Sequence, residues 1–158
     1  MRKNIILWTA LAVILLDQLS KTVVVHLLGL KSIGYIDVLP PFVNFRMAWN
    51  RGVNFGLFSN DADVMRWVLI AIALIISGWV AYWVHNEQSG KAGKIAAGLL
   101  IGGAFGNVID RIIYGAVADF LNMSCCGIDN PFAFNVADIA IFAGAFGLIL
   151  FTGTKKSA

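Results

Sequence analysis

Charge is scarce in this sequence: of its 158 residues only 13% are Asp, Glu, Lys or Arg, while 59% are hydrophobic. Soluble domains carry about 25% charged residues, so a water-facing globule is excluded and a bilayer becomes the natural solvent. Cysteine is nearly absent. The two present, Cys125 and Cys126, are adjacent and have no ligand cluster beside them, which excludes a disulfide framework and zinc spacing. The two histidines, His26 and His85, sit near opposite faces of the expected bilayer, so no Ser-His-Asp arrangement can gather around them. A thiol nucleophile at Cys125-Cys126 lacks a second outer histidine to activate it. Neither a G-x-S-x-G elbow nor an H-E-x-x-H pair occurs, and no G-x-G-x-x-G follows a predicted strand. The net charge of +3 comes from Lys and Arg beside apolar runs, which membrane topology explains better than nucleic acid.

What the chain has instead is long apolar runs. A hydrocarbon core of about 30 Å takes roughly 20 apolar residues per helix, which leaves room for four spans, expected at residues 4–28, 66–84, 95–113 and 134–151. The expectation is an all-α integral membrane protein of one domain, residues 1–158, with a small β platform outside the membrane. Met1 to Leu16 resembles a secretory signal peptide, but the run leads into Asp17-Gln18-Leu19-Ser20-Lys21 with no small-x-small cleavage site, so an uncleaved first helix is expected. Arg2 and Lys3, Lys91 and Lys94, and Lys155 and Lys156 fall on one side of an even number of spans. The positive-inside rule makes that side cytoplasmic, with both termini inside. Lys31, Arg46 and Arg51 lie outside and weaken that argument without reversing it. Between spans one and two, residues 32–63 are too polar to cross; Phe45, Met47 and Trp49 alternate with Asn44, Arg46 and Ala48, the period of a half-buried strand.

Acidic groups at membrane depth are costly and mark function. Asp119 lies just after the third span and Asp138 opens the fourth, each read as sitting where a helix meets the outer surface. A span that exits and one that re-enters put both carboxylates at one depth on one side. Asp17 and Lys21, four apart and acid first, read foremost as an ion pair that orients their helix. Asp110 reads as a partner of Arg111 that stabilises the helix end. Arg111 and Asn107 share a helix face and serve either substrate or structure. Asn135, three residues before Asp138, reaches either that aspartate or a substrate backbone, or caps the helix. Gly98, Gly102 and Gly106 make small-xxx-small steps for close helix packing.

Taken together, Asp17-Gln18-Leu19-Ser20-Lys21, Asn50-Arg51-Gly52-Val53-Asn54-Phe55-Gly56, Gly102 to Arg111, Val117-Ala118-Asp119-Phe120 and Phe134-Asn135-Val136-Ala137-Asp138 resemble bacterial lipoprotein signal peptidase, or signal peptidase II. The match covers almost the whole chain. Asn54 stands where many members have alanine, and the resemblance supplies no role for the two cysteines. It implies an aspartyl endopeptidase of the bacterial cytoplasmic (inner) membrane, acting at the extracytoplasmic face without a metal or other cofactor. The implied substrate is a prolipoprotein whose cysteine carries diacylglycerol, cut immediately before that cysteine. Asp119 and Asp138 align with the catalytic dyad; Asn50, Gly52, Asn107, Arg111 and Asn135 with residues around substrate or cyclic-peptide inhibitors such as globomycin; Asp17, Lys21 and Asp110 with supporting positions. Membrane lipid is a further implied partner.

Two close carboxylates cannot both ionise easily and would share a proton, one acting as base toward water and the other as acid. A small proton-coupled transporter, with Asp17, Asp119 and Asp138 as a relay, is the competing expectation. Its acids gather at one face rather than forming a path across, and no internal repeat is visible.

Overall fold

The computed structural model describes residues 4–52, 62–87, 89–125 and 130–152. Asn54, Cys126, Arg2, Lys3, Lys155 and Lys156 lie outside the described residues. The helices are α1 (Ile5–Lys21), which continues as a π-helical turn over Thr22–Leu27, a short α2 (Leu30–Ile33), α3 (Ala62–Asn86), α4 (Lys91–Tyr114) and α5 (Val136–Thr152); the strands are β1 (Tyr35–Leu39), β2 (Val43–Asn50) and β3 (Val117–Met123). Three helical stretches, Ile5–Leu27, Asp63–Asn86 and Lys91–Tyr114, are long and apolar enough to cross a membrane; α5, at 17 residues, is apolar but shorter. The large side chains that a soluble protein would bury face outward instead: Ile75 is 70% exposed, Phe142 77% and Ile149 75%. With no polar counterpart on those faces, lipid is the solvent that fits them.

Helix α4 is the hub, packing against α1, α3 and α5. Its glycines allow this. A Cβ on Gly98 would come within 2.8 Å of the Ile6 carbonyl oxygen, and one on Gly102 within 2.7 Å of that of Ala10, so backbone meets backbone along the α1–α4 seam. Gly144 of α5 makes a similar approach to Ala96 and Leu100. Towards one end of the bundle Val80, Val84, Ala96, Ala97, Leu100 and Leu148 form a buried cluster. Its counterpart, with Val24, Val25, Leu30, Ala118 and Phe120, lies against the sheet.

The sheet runs β1-β2-β3, antiparallel throughout. The anticipated platform is therefore present, but with a strand that the sequence reading did not foresee. Asp119 sits on β3, paired opposite Ala48 of β2, not at the rim of a helix as expected. Val117-Ala118-Asp119-Phe120 is buried throughout, and a short run buried on both faces carries no period-two signal. A register shift between Phe45 and Ala48 breaks the alternation expected for β2, and Trp49 beyond it is 40% exposed; Asn44, before the shift and opposite the buried Asn122, is itself buried.

Helix boundaries also moved. α3 and α4 each begin four residues earlier than expected, at Ala62 and Lys91. α5 begins later, at Val136, because Phe134 is held in a bridge to Leu121 and Asn135 serves as the cap. The π-helical turn follows a point where the Ser20 and Thr22 hydroxyls donate to the carbonyls of Asp17 and Gln18. Such back-bonding loosens a helix, and the β-branched run Thr22 to Val25 adds crowding.

Candidate active site

Asp119 and Asp138 come from different elements and are joined by one side chain. The Asn135 Nδ2 donates to Asp119 Oδ1 at 2.6 Å, while its Oδ1 accepts the Asp138 backbone N–H at 2.9 Å. The second bond caps α5. Asp138 stands at the third position of that helix, and its Oδ2 accepts the Asn135 backbone N–H at 3.1 Å, completing a reciprocal capping box. The Asn135 side chain thus caps α5 as one alternative expected, but its amide N–H groups reach Asp119 and Asn107 rather than the Asp138 carboxylate.

Each of the four carboxylate oxygens receives one N–H donor. Asp119 Oδ2 accepts Asn50 Nδ2 at 3.1 Å, and Asp138 Oδ1 accepts Asn107 Nδ2 at 2.9 Å. Asn107 Oδ1 in turn accepts the second Nδ2 contact of Asn135, at 3.3 Å. Asn50 is fixed by the Gly52 N–H, which donates to its Oδ1 at 3.0 Å. Gly52 has φ of +99°, in the left-handed region, and a Cβ there would fall 2.7 Å from Leu69 Cδ1. Only glycine fits both demands.

The environments of the two carboxyls differ. Asp119 is 3% exposed and Asp138 is half-buried. Burial, followed by the negative charge of Asp138, pushes the Asp119 carboxyl up to about 6; the donors Asn50 and Asn135 and the Lys21 charge act in the opposite direction. Asp138 stands in the first turn of α5, beside the positive end of the helix.

Arg111 is partly buried. It donates from Nη1 to the Asn107 carbonyl at 3.4 Å and lies within electrostatic reach of Asp138, Asp119 and Asp110. It makes no ion pair with a described carboxylate. The expected Asp110–Arg111 partnership is replaced by another: Asp110 Oδ2 lies 2.8 Å from Lys21 Nζ. Adjacent helical residues diverge by about 100°, which turns Asp110 toward α1 while Arg111 turns away.

Lys21 also bonds Asp17 Oδ2 at 2.8 Å, as the spacing suggested, so one ammonium serves two buried carboxylates. Asp17 Oδ1 accepts the Ala137 N–H of α5 at 3.0 Å, and Asp110 Oδ2 accepts the Ala118 N–H of β3 at 3.0 Å. The cluster therefore ties α1 and α4 to the residues immediately before both aspartates. Gln18 was given no role beforehand, yet its Nε2 donates to Asp17 Oδ2 at 3.1 Å and Asp110 Oδ1 at 3.0 Å. Its place three residues before Lys21 was the available signal. Asn122, also missed, is buried and donates to the Asn130 and Phe132 carbonyls at 2.7 Å each, holding the return to α5.

Among the described residues no group of three or more His, Cys, Asp or Glu side chains is arranged to hold a metal ion. The two aspartates are wrapped by amide donors, an arrangement suited to holding carboxylates and a proton.

The chain is similar to known proteins over most of its length. The family model described as signal peptidase (SPase) II matches residues 9–153. The lipoprotein signal peptidase of Methylobacterium radiotolerans is 46% identical over 112 residues, 71% of this chain; the chain spans 64% of that relative's length. That of Vibrio cholerae serotype O1 is 39% identical over 155 residues, covering 96% of this chain and 89% of the relative. A bacterial membrane enzyme solved by the in meso method at 1.9 Å superposes with a TM-score of 0.79 at 28% identity, over 95% of this chain and 93% of that one. A second, solved at 2.3 Å, gives 0.75 at 26% identity, over 95% and 88%.

Proposed function

Because this chain belongs to the signal peptidase II family, we propose that it is an aspartyl endopeptidase that removes the signal peptide from diacylglyceryl-modified prolipoproteins, cutting before the lipidated cysteine. The observation that carries this reading is the pair of aspartates bridged by Asn135, with every carboxylate oxygen held by an amide donor.

In this reading Asp119 holds the shared proton and Asp138 is ionised at the start. Asp138 takes a proton from water as the water attacks the scissile carbonyl, and Asp119 donates to the carbonyl oxygen. As the C–N bond breaks, the proton gained by Asp138 passes to the departing amine and the collapsing diol returns a proton to Asp119. Asn50, Gly52, Asn107, Arg111 and Asn135 surround the peptide, with the Arg111 guanidinium free to meet a carbonyl or carboxylate. Asp17, Lys21 and Asp110 hold the frame. Cyclic peptides such as globomycin would bind against the same residues.

The same proposal makes the chain a single-domain, four-span protein of the bacterial inner membrane, α5 being the fourth span. Both termini are cytoplasmic, and the aspartates face outward at the level where water and lipid meet. Diacylglycerol chains can then remain in lipid while the peptide bond reaches water. The lateral apolar faces of the helices support this arrangement.

The test uses the purified protein in nanodiscs with a precursor bearing or lacking diacylglycerol, the products being read by mass spectrometry. Cleavage before the cysteine of the modified precursor alone is expected. Equal cleavage of both precursors, or none, would defeat the substrate assignment. Proton-driven solute uptake by the same preparation in vesicles would favour the transporter.

A further inference from the structure

Arg66, on the first turns of α3, has no place in the site described above, yet it joins two parts of it. Its Nη2 donates to the Ile112 carbonyl at 2.8 Å, one of the last four carbonyls of α4, which have no partner within their own helix. Beside it Gly115, left-handed at φ of +76°, closes α4 by donating its N–H to the Arg111 carbonyl at 3.1 Å. The guanidinium lies 5.2 Å from the centroid of the Trp67 ring, and its Nε is buried without a partner among the described residues. A cation at a helix C-terminus is favourably placed, and the fork of donors fixes its orientation.

The same turns of α3 form the seat of Gly52. Met65 and Leu69, one turn apart and flanking Arg66, are the side chains that a Cβ on Gly52 would strike, at 3.3 and 2.7 Å. Gly52 positions Asn50, and Asn50 donates to Asp119. On the other side, the end of α4 that receives Arg66 carries Asn107, which donates to Asp138. Arg66 therefore bridges the support of one aspartate to the support of the other. Among the described helices α3 packs mainly on α4, and this hydrogen bond ties the outer ends of the two together.

We infer that Arg66 is a positioning residue for the aspartate pair, holding α3 to the end of α4 so that Gly52 and Asn50 keep their amide on Asp119. It touches neither aspartate and acts through the α3 seat. Its part in catalysis rests on the proposed peptidase function; its effect on Asp119 does not.

The experiment compares wild type, Arg66→Ala, Arg66→Gln and Arg66→Lys in nanodiscs. It reads the titration of the ¹³C-labelled Asp119 carboxyl together with kcat and KM on the modified precursor. The charges acting on Asp119 are Asp138 from α5, Lys21 from α1 and Arg111 from α4, none of which is altered. Loosening the Asn50 donor in Arg66→Ala should raise the Asp119 midpoint by roughly half a pH unit and lower kcat by roughly tenfold or more, with KM changing less. Arg66→Lys and Arg66→Gln, which each retain a donor for the Ile112 carbonyl, should restore most of both. They also keep the test open if the alanine variant does not fold. A folded Arg66→Ala with the wild-type midpoint and kcat would overturn the inference, as would Lys and Gln variants no better than alanine. A shifted midpoint in a protein that cleaves no precursor would uphold the positioning role and sink the peptidase reading.

Discussion

Asn135 and Asp138 cap each other across the first turn of α5: the backbone N–H of each donates to the side chain of the other, at 3.1 and 2.9 Å. The same asparagine side chain also donates to Asp119 at 2.6 Å. Helix termination and site geometry are therefore one structure, and a substitution at Asn135 acts on both.

Asn135→Ala should lose the cap and the Asp119 donor together, costing about 1–2 kcal/mol of stability and most of the cleavage activity. Asn135→Ser keeps a capping oxygen but cannot reach Asp119 with an amide. It should unfold near the wild-type temperature in nanodiscs while cleaving at least roughly tenfold more slowly, in line with one lost transition-state contact. Serine that restores activity along with stability would show that the Asp119 bond is dispensable.

Lys21 is the ion-pair partner of two carboxylates that are both fully buried. Lys21→Met should therefore destabilise by about 3–5 kcal/mol, the cost of uncompensated buried charge. Asp17→Asn should cost less, because its oxygen still accepts the Ala137 N–H. Denaturant titration in mixed micelles ranks the two; a milder effect for Lys21→Met would contradict the ion-cluster account.

Burial, and then the charge of Asp138, push the Asp119 carboxyl up to about 6. Raising pH through that value removes its proton, so cleavage should decline on the alkaline side with a limb near 6. Folding stability has the same sign. The native carboxyl holds its proton more tightly than the unfolded one, so stability contributed at acid pH is lost as pH rises from 3.8 through about 6. Asp138→Asn removes the repelling charge and should lower the midpoint. Carbon-13 spectra of labelled aspartate read this directly, and a midpoint that stays put or rises would contradict the coupling.

Gly52→Ala combines an unfavourable backbone conformation with a clash on Leu69. A cost of about 1–3 kcal/mol and a fall in cleavage at least as large as that of Asn50→Ala are expected, since both loosen the same donor to Asp119. Wild-type cleavage by Gly52→Ala would show that Asn50 does not depend on that turn.

Much of this architecture was legible because membrane helices declare themselves by length and hydropathy. The glycine seam at Gly98 and Gly102, the Asp17–Lys21 pair and the Asn135 cap on α5 all follow from helical spacing, which is local, whereas the Asn135 bond to Asp119 does not. The parts that were not legible are contacts between distant segments. Nothing in Val117 to Phe120 announces a strand, since its pairing with β2 lies some seventy residues away in the chain and both faces are buried. Asp110 was matched with its neighbour Arg111 although its partner is Lys21 on another helix. Gln18 and Arg66 resembled ordinary polar flanks, and only tertiary packing gives them acceptors on α4.

Cleavage of a diacylglyceryl-modified precursor by purified Asp119→Asn and Asp138→Asn tests the central claim most directly. Both variants preserve side-chain shape, so helical content should be unchanged. The account predicts a loss of roughly 10²–10⁴-fold or more in each, the scale of a positioned acid or base. Either variant cleaving within about tenfold of wild type would contradict it.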